Sequence, residues 1–168
     1  AGFDFFTKFL KNCNIESAKG NTKFRQAISN SKSNGIYCIV DGAAFGCRIR
    51  DLYDYIKKKL NKRVYIWMPE SFEWILLKAG IFTIPDLDKI LNDPSNYIES
   101  SKYFSWERFF THLATKYSDS RYKYDKDNLD VYYMSNYNMK KVKPLLPKEL
   151  QKLSVIGNDK SLNPLSLF

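Results

Sequence analysis

The sequence has little of the chemistry that zinc sites, disulfide frameworks and nucleophilic catalysis require. It contains one histidine and three cysteines in 168 residues, and the cysteines do not have a metal-ligand spacing. A histidine-based zinc site is therefore not expected, and the odd number of cysteines argues against a complete disulfide framework. With one histidine to serve as base, a serine or cysteine nucleophile is also unsupported.

Long apolar runs and nucleotide-binding motifs are missing as well. No apolar stretch approaches the roughly 18 residues that a membrane helix needs, and no signal peptide is visible. No Gly-x-x-x-x-Gly-Lys-Ser/Thr loop is present, so the chain is not itself a P-loop ATPase. We expect no membrane partner and a cytoplasmic location. The sequence begins with Ala1 rather than Met, and we expect a processed chain or one part of a larger parent protein.

What the sequence does contain is positive charge and aromatic residues. The net charge is +9, with 12 tyrosines and 12 phenylalanines, and 44% hydrophobic residues are enough to bury a core. The charge favours an acidic partner such as nucleic acid, although scattered lysines also serve solubility. The length suits a single domain, with a core over residues 36–117 and a C-terminal extension over residues 118–168.

Residues 36–68 predict a β-α-β unit. The runs IYCIV (36–40) and VYIWM (64–68) are typical of parallel strands buried on both faces, and the segment between them has helical apolar spacing. Such a crossover places the strands parallel. Further helices are expected from Pro69 to Gly80 and over residues 105–117. The second has Ser105 as its expected cap and one apolar face, formed by Trp106, Phe109, Phe110, Leu113, Ala114 and Tyr117. The predicted fold is α/β: a small parallel sheet flanked by helices, with a mostly helical, Tyr-rich C-terminal half.

Asp41 is the first residue beyond the first predicted strand. Ligands of open parallel sheets bind beyond the carboxyl ends of the strands, and Gly42 and Gly46 allow a sharp turn there. The N-terminus of the next helix attracts anions, so its amides can hold Asp41 ionised and ready to bind Mg²⁺. The alternative is that Asp41 only caps a turn or helix.

The second strand repeats this arrangement. Glu70 and Glu73 fall in the first turn of the next predicted helix, and we expect them at the same sheet edge as Asp41. Converging carboxylates can form a Mg²⁺ site for phosphodiester chemistry, whereas acids in a first helical turn also offset the helix dipole. Asp41, Glu70 and Glu73 are therefore the candidate catalytic residues, with Asp41 as the metal ligand.

The segment IVDGAAFG (39–46) resembles the strand-end motif of the Toprim domain, the α/β metal-binding module of primases, topoisomerases and overcoming-lysogenization-defect-type nucleases. That family has an Asp-x-Asp motif after a strand and a catalytic glutamate on an earlier strand. Asp41 matches the first aspartate, but Ala43 stands at the second. No strand with a glutamate is evident before residue 36, and such a strand would have to precede Ala1 in a larger parent protein.

The resemblance covers about residues 36–80. It implies a nucleic-acid-processing or nucleic-acid-binding domain that uses Mg²⁺, and Ala43 favours a form that has lost catalysis. Two alternatives stay open. One is a non-catalytic accessory or protein-interaction domain. The other is a PIN- or NYN-like metal-dependent ribonuclease, whose further acids would come from Asp86, Asp88, Asp119 and Asp130.

The stretch from Ser120 to Lys143 interleaves tyrosines with lysine and arginine. Its LDVYYM segment (129–134) predicts an edge strand, as part of a Tyr-rich surface hairpin. The same composition suits contact with single-stranded nucleic acid, because bases stack on aromatic rings and phosphates attract cations. The candidate nucleic-acid-binding residues are Arg48, Arg121, Lys123, Lys140 and Lys141.

Overall fold

The computed structural model describes residues 1–19, 23–45, 49–59, 61–94 and 105–155. The chain divides into two compact units. The strand unit runs from Glu16 to Phe72, and the helical unit combines Ala1–Ile15 with Glu73–Phe168. Within the described ranges, no helix has the length and hydropathy of a membrane span.

The helices and strands of the described residues are, in chain order, α1 (Gly2–Phe9), α2 (Phe24–Asn30), β1 (Gly35–Ile39), α3 (Gly42–Phe45), α4 (Ile49–Lys59), β2 (Arg63–Trp67), α5 (Phe72–Lys78), α6 (Leu87–Asn92), α7 (Trp106–Tyr117), α8 (Asn136–Val142), a 3₁₀ helix (Lys143–Leu145) and α9 (Lys148–Leu153).

The two strands of the strand unit pair in parallel, which confirms the predicted β-α-β unit. Tyr37 lies opposite Tyr65 and Ile39 lies opposite Trp67 in the register. Two helices, α3 and α4, are found where the apolar spacing predicted one. The α/β fold, with a small parallel sheet and a mostly helical C-terminal half, is confirmed.

One face of this sheet packs against α2 and α4. Ile28 and Leu52 of these helices form a buried cluster with Cys38 and Val40, and further apolar residues of both strands pack against it. Successive side chains of a strand point to opposite faces, so the cluster takes alternate residues only. The expectation of burial on both faces is wrong for the second strand, because Tyr65 is 48% exposed.

The helical unit is built on aromatic residues. Its α7 begins at the predicted cap, where the Ser105 hydroxyl accepts a hydrogen bond from the Arg108 amide at 3.3 Å. Tyr117 of the predicted apolar face is half-buried, and the other five residues are buried: Trp106, Phe109, Phe110, Leu113 and Ala114. The Lys11 amide donates to the Leu153 carbonyl at 2.8 Å, and this hydrogen bond connects the segment after α1 to the end of α9.

The predicted edge strand over residues 129–134 does not form. Asp130 instead begins a turn: its carboxylate accepts from the Tyr132 amide at 2.8 Å and its carbonyl from the Tyr133 amide at 3.1 Å. Asp side chains favour such turns because they bond backbone amides two residues further on. The chain then enters α8, whose cap Ser135 accepts from the Asn138 amide at 3.3 Å. The predicted surface hairpin is therefore a turn followed by a helix.

Candidate functional site

Asp41 lies at the carboxyl end of β1, where the sequence predicts it. The strand ends at Ile39, and the buried Val40 extends the pairing by donating its amide to the Trp67 carbonyl at 3.0 Å. Asp41 follows with an exposed side chain, and α3 begins at Gly42. The carboxylate is thus delivered to the rim of the sheet rather than into the core.

The chain that follows β2 passes directly against the beginning of α3. The Gly42 amide donates to the Pro69 carbonyl at 2.7 Å, and the Ala43 amide donates to the Glu70 carbonyl at 2.8 Å. A Cβ atom at Gly42 would lie 2.9 Å from the Pro69 oxygen, so this close approach requires glycine. The contact brings the backbones of Asp41 and Glu70 to one edge, and two of the amides that we expected to attract an anion bind carbonyls instead.

This contact also explains why the following helix begins later than predicted. A helix starting at Pro69 would use the Pro69 carbonyl to accept from an amide four residues further on. That carbonyl and the Glu70 carbonyl turn towards α3, and α5 begins only at Phe72. Glu70 therefore precedes the helix, which corrects its predicted place in the first turn. Glu73 does lie in that turn.

Glu73 belongs to the helical unit and is buried, at 9% exposure. Its Oε1 accepts a hydrogen bond from the Tyr124 hydroxyl at 2.6 Å. Burial, reinforced by the negative charge of Glu73, raises the pKa of Tyr124, so the phenol stays protonated and keeps donating. Tyr124 also packs edge-on against Phe110, with ring centroids 4.8 Å apart. Glu73 thus has an internal partner that the sequence did not suggest.

Four of the five candidate cations lie on the helical unit, and Arg48 lies outside the described residues. The Arg121 Nε donates to the Ser118 carbonyl at 3.2 Å, and its guanidinium lies 5.9 Å from the centre of the Tyr122 ring. Lys123 and Lys140 are exposed.

Lys141 is held in a similar way to Arg121. Its Nζ donates to the Gly80 carbonyl at 3.2 Å and lies 4.3 Å from the centre of the Tyr137 ring. That ring is 68% exposed. Arg121 and Lys141 therefore each combine a positive charge with an aromatic ring at the surface.

The tyrosines between these cations form an ordered stack. The rings of Tyr122 and Tyr132 are nearly parallel, with an interplanar angle of 5° and centroids 3.6 Å apart. The ring of Phe82 also lies near Tyr132, with centroids 6.1 Å apart and an interplanar angle of 23°. We call the following set the tyrosine–lysine surface: Arg121, Tyr122, Lys123, Tyr132, Tyr137, Lys140 and Lys141.

No family model, curated protein or solved structure matches this chain.

The donors available for a metal ion at the strand rim are few. Asp41 and Glu70 supply carboxylates, whereas Ala43 supplies none. Glu73 is engaged by Tyr124. Among the residues that the structure describes, no group of three or more His, Cys, Asp or Glu side chains could hold a metal ion.

The sequence carried a signal for the burial of Glu73 that the prediction did not use. Glu73 lies three and four positions before Leu76 and Leu77, both buried on α5, and residues at this spacing share one face of a helix. It therefore lies on the inner face. Its partner Tyr124 comes from a polar loop without periodicity, so nothing in the sequence pointed to that residue.

Proposed function

We propose that this chain is a Toprim-like nucleic-acid-binding domain in which metal-dependent catalysis has been lost, and that it contacts single-stranded nucleic acid through the tyrosine–lysine surface. The observation that carries the proposal is the Tyr122–Tyr132 stack with the Arg121 guanidinium beside it. An unpaired base presents a flat π-face to such rings whatever its sequence. Flanking cations bind the phosphates on either side and release counterions.

The paired arrangement of rings and cations favours this ligand over a general acidic partner. Arg121 and Lys141 are oriented by backbone carbonyls, and each lies over a tyrosine ring. Both cations are therefore held next to an aromatic surface before any ligand arrives. Preorganised side chains lose less conformational freedom when they bind, which favours contact with the alternating bases and phosphates of a single strand.

Two features support the loss of catalysis. Ala43 replaces a carboxylate of the motif, and Glu73 uses an oxygen to bind Tyr124 inside the helical unit. A metal-dependent phosphodiester reaction at Asp41 and Glu70 is the second candidate function. It is favoured by the exposed side chain of Asp41 and by the contact between the backbones that carry the two acids.

The test is binding of a fluorescent thymidine oligonucleotide, followed by anisotropy over a range of salt concentrations. We expect the logarithm of the association constant to fall linearly with the logarithm of salt, with a slope of about 0.7 for each phosphate contact. The double variant Lys123→Gln/Lys140→Gln should flatten that slope. The control is Lys148→Gln/Lys152→Gln, which removes two exposed lysines from the same unit.

The same assay tests the stacking contribution. Tyr122→Leu keeps an apolar side chain and removes the aromatic face, and it should weaken binding by about five- to 100-fold if one base stacks there. Absence of binding at low salt would refute the proposal and favour a protein-interaction domain. Equal slopes for the two lysine pairs would refute the assignment to this surface.

A further inference from the structure

The face of the two-stranded sheet that points away from α2 and α4 carries a second aromatic arrangement, in the strand unit. Since Ile36 and Cys38 of β1 pack in the cluster with these helices, the strand residues that alternate with them point to the opposite face of the sheet. The register then places Gly35 beside Arg63, Tyr37 beside Tyr65 and Ile39 beside Trp67 on this side. We call these six residues the outer face.

Two tyrosine rings form the centre of the outer face. Tyr37 and Tyr65 stack across the strands, with centroids 5.7 Å apart and an interplanar angle of 19°. The Tyr65 side chain is 48% exposed, and Tyr37 and Trp67 are half-buried. Parallel strands are ordinarily covered on both faces. A large aromatic ring that is about half exposed on such a strand therefore indicates a binding surface.

The net charge of the strand unit is positive. The strand unit holds 11 lysines and arginines against five aspartates and glutamates, which is a net charge of +6 out of the +9 of the whole chain. Arg63 is exposed at the beginning of β2. Its neighbour in the register is Gly35, where an added Cβ would have nothing within 4 Å. The space next to the Gly35 backbone, beside Arg63 in the register, is therefore open.

We propose that the outer face is a stacking platform for the bases of single-stranded nucleic acid, with Tyr65 and Tyr37 under the bases and Arg63 on a phosphate. This inference rests on the proposed function and adds a second contact surface in a different unit of the chain. The net charge of the strand unit favours a polyanion over an apolar protein segment. A pair of tyrosine rings suits bases, because stacking needs the ring face and tolerates any base.

The experiment compares two ligands of equal length on the full chain: a thymidine oligonucleotide and an abasic deoxyribose-phosphate strand. Tyr65→Leu removes the aromatic face, whereas Tyr65→Phe keeps the ring and removes only the hydroxyl. Tyr53→Leu is the matched control, because Tyr53 is 46% exposed on α4 of the same unit. Circular dichroism and thermal unfolding establish that each variant is folded.

We expect Tyr65→Leu to weaken binding of the thymidine strand by about five- to 100-fold, the range for one stacked base, and to leave binding of the abasic strand unchanged. Tyr65→Phe and Tyr53→Leu should both bind as the wild type does. If the wild type binds and Tyr65→Leu binds equally well, the platform is refuted while the proposed function stands. An equal loss for both strands would also refute it, since stacking requires bases. Absence of wild-type binding would refute both proposals.

Discussion

The hydrogen bond from Tyr124 to Glu73 gives the sharpest stability prediction. Tyr124→Phe removes one hydroxyl and leaves a buried carboxylate without that donor at 2.6 Å. Hydrogen bonds to charged groups contribute about 1.5 to 3 kcal/mol net, and neutral ones about 0.5 to 1.5 kcal/mol. We therefore expect Tyr124→Phe to lower the free energy of unfolding by about 2 to 3 kcal/mol.

Tyr133→Phe provides a matched control within the same unit. Its hydroxyl is also a donor from a fully buried tyrosine, but it bonds a neutral group, the Tyr122 carbonyl, at 3.0 Å. We expect a cost of about 1 kcal/mol for this variant. Urea unfolding followed by fluorescence and circular dichroism measures both, and with a slope of about 2 kcal/mol per molar the Tyr124→Phe midpoint should fall by about 1 M.

Charge is the proposed cause of the difference, and Glu73→Gln isolates it. The glutamine oxygen still accepts from Tyr124 but carries no charge, so Tyr124→Phe should cost only about 1 kcal/mol in that background. The pH dependence gives a further check. Because the folded chain raises the pKa of Tyr124, the phenol ionises first in the unfolded chain. Stability should therefore fall above about pH 10, and less steeply in Tyr124→Phe. Equal costs of Tyr124→Phe and Tyr133→Phe in the wild-type background, or an unchanged cost of Tyr124→Phe in the Glu73→Gln background, would refute this reasoning.

Three further predictions concern glycine packing, metal binding and thiol reactivity. Gly42→Ala should destabilise the chain by about 1 to 3 kcal/mol, because its Cβ would meet a backbone oxygen at 2.9 Å. Gly35→Ala has open space around it and should change the free energy of unfolding, measured in urea, by less than about 0.5 kcal/mol. Millimolar Mg²⁺ or Mn²⁺ should leave the melting temperature unchanged, since binding to the folded state would raise it; a rise that Asp41→Asn removes would instead establish a metal site. A thiol reagent should modify the exposed Cys13 well before the buried Cys38, whose burial raises the pKa of its thiol to about 11. Peptide mass spectrometry measures the order, and equal rates would contradict the described burial.

The sequence predicted those elements whose own residues carry the signal. The β-branched runs of β1 and β2 are bounded by breaks and separated by a helical pattern, and they pair as expected. The α7 helix has both a serine cap and a continuous apolar face, and it begins and ends where these indicate. In both cases local preference and tertiary packing agree, so pattern reasoning is sufficient.

The predictions that were wrong failed at backbone contacts that apolar spacing does not show. Pro69 is a good first residue for a helix, but its carbonyl accepts from Gly42, more than twenty positions earlier. The tyrosines of residues 129–134 have strand propensity, but Asp130 takes the nearby amides into a turn. The Gly42 partner of Pro69 lies outside any local window of sequence, whereas the Asp130 turn is local, and the prediction gave the tyrosines more weight than the aspartate.

The most direct test of the account is photo-crosslinking of the intact chain to a single-stranded oligonucleotide that carries 4-thiothymidine, with the adducts mapped by peptide mass spectrometry. The tyrosine–lysine surface predicts adducts on the peptides that contain Tyr122 and Tyr132, and these adducts should disappear as salt is raised. Adducts confined to peptides outside that surface and the outer face, or no adducts at low salt, would contradict the proposal that the chain binds single-stranded nucleic acid through these surfaces.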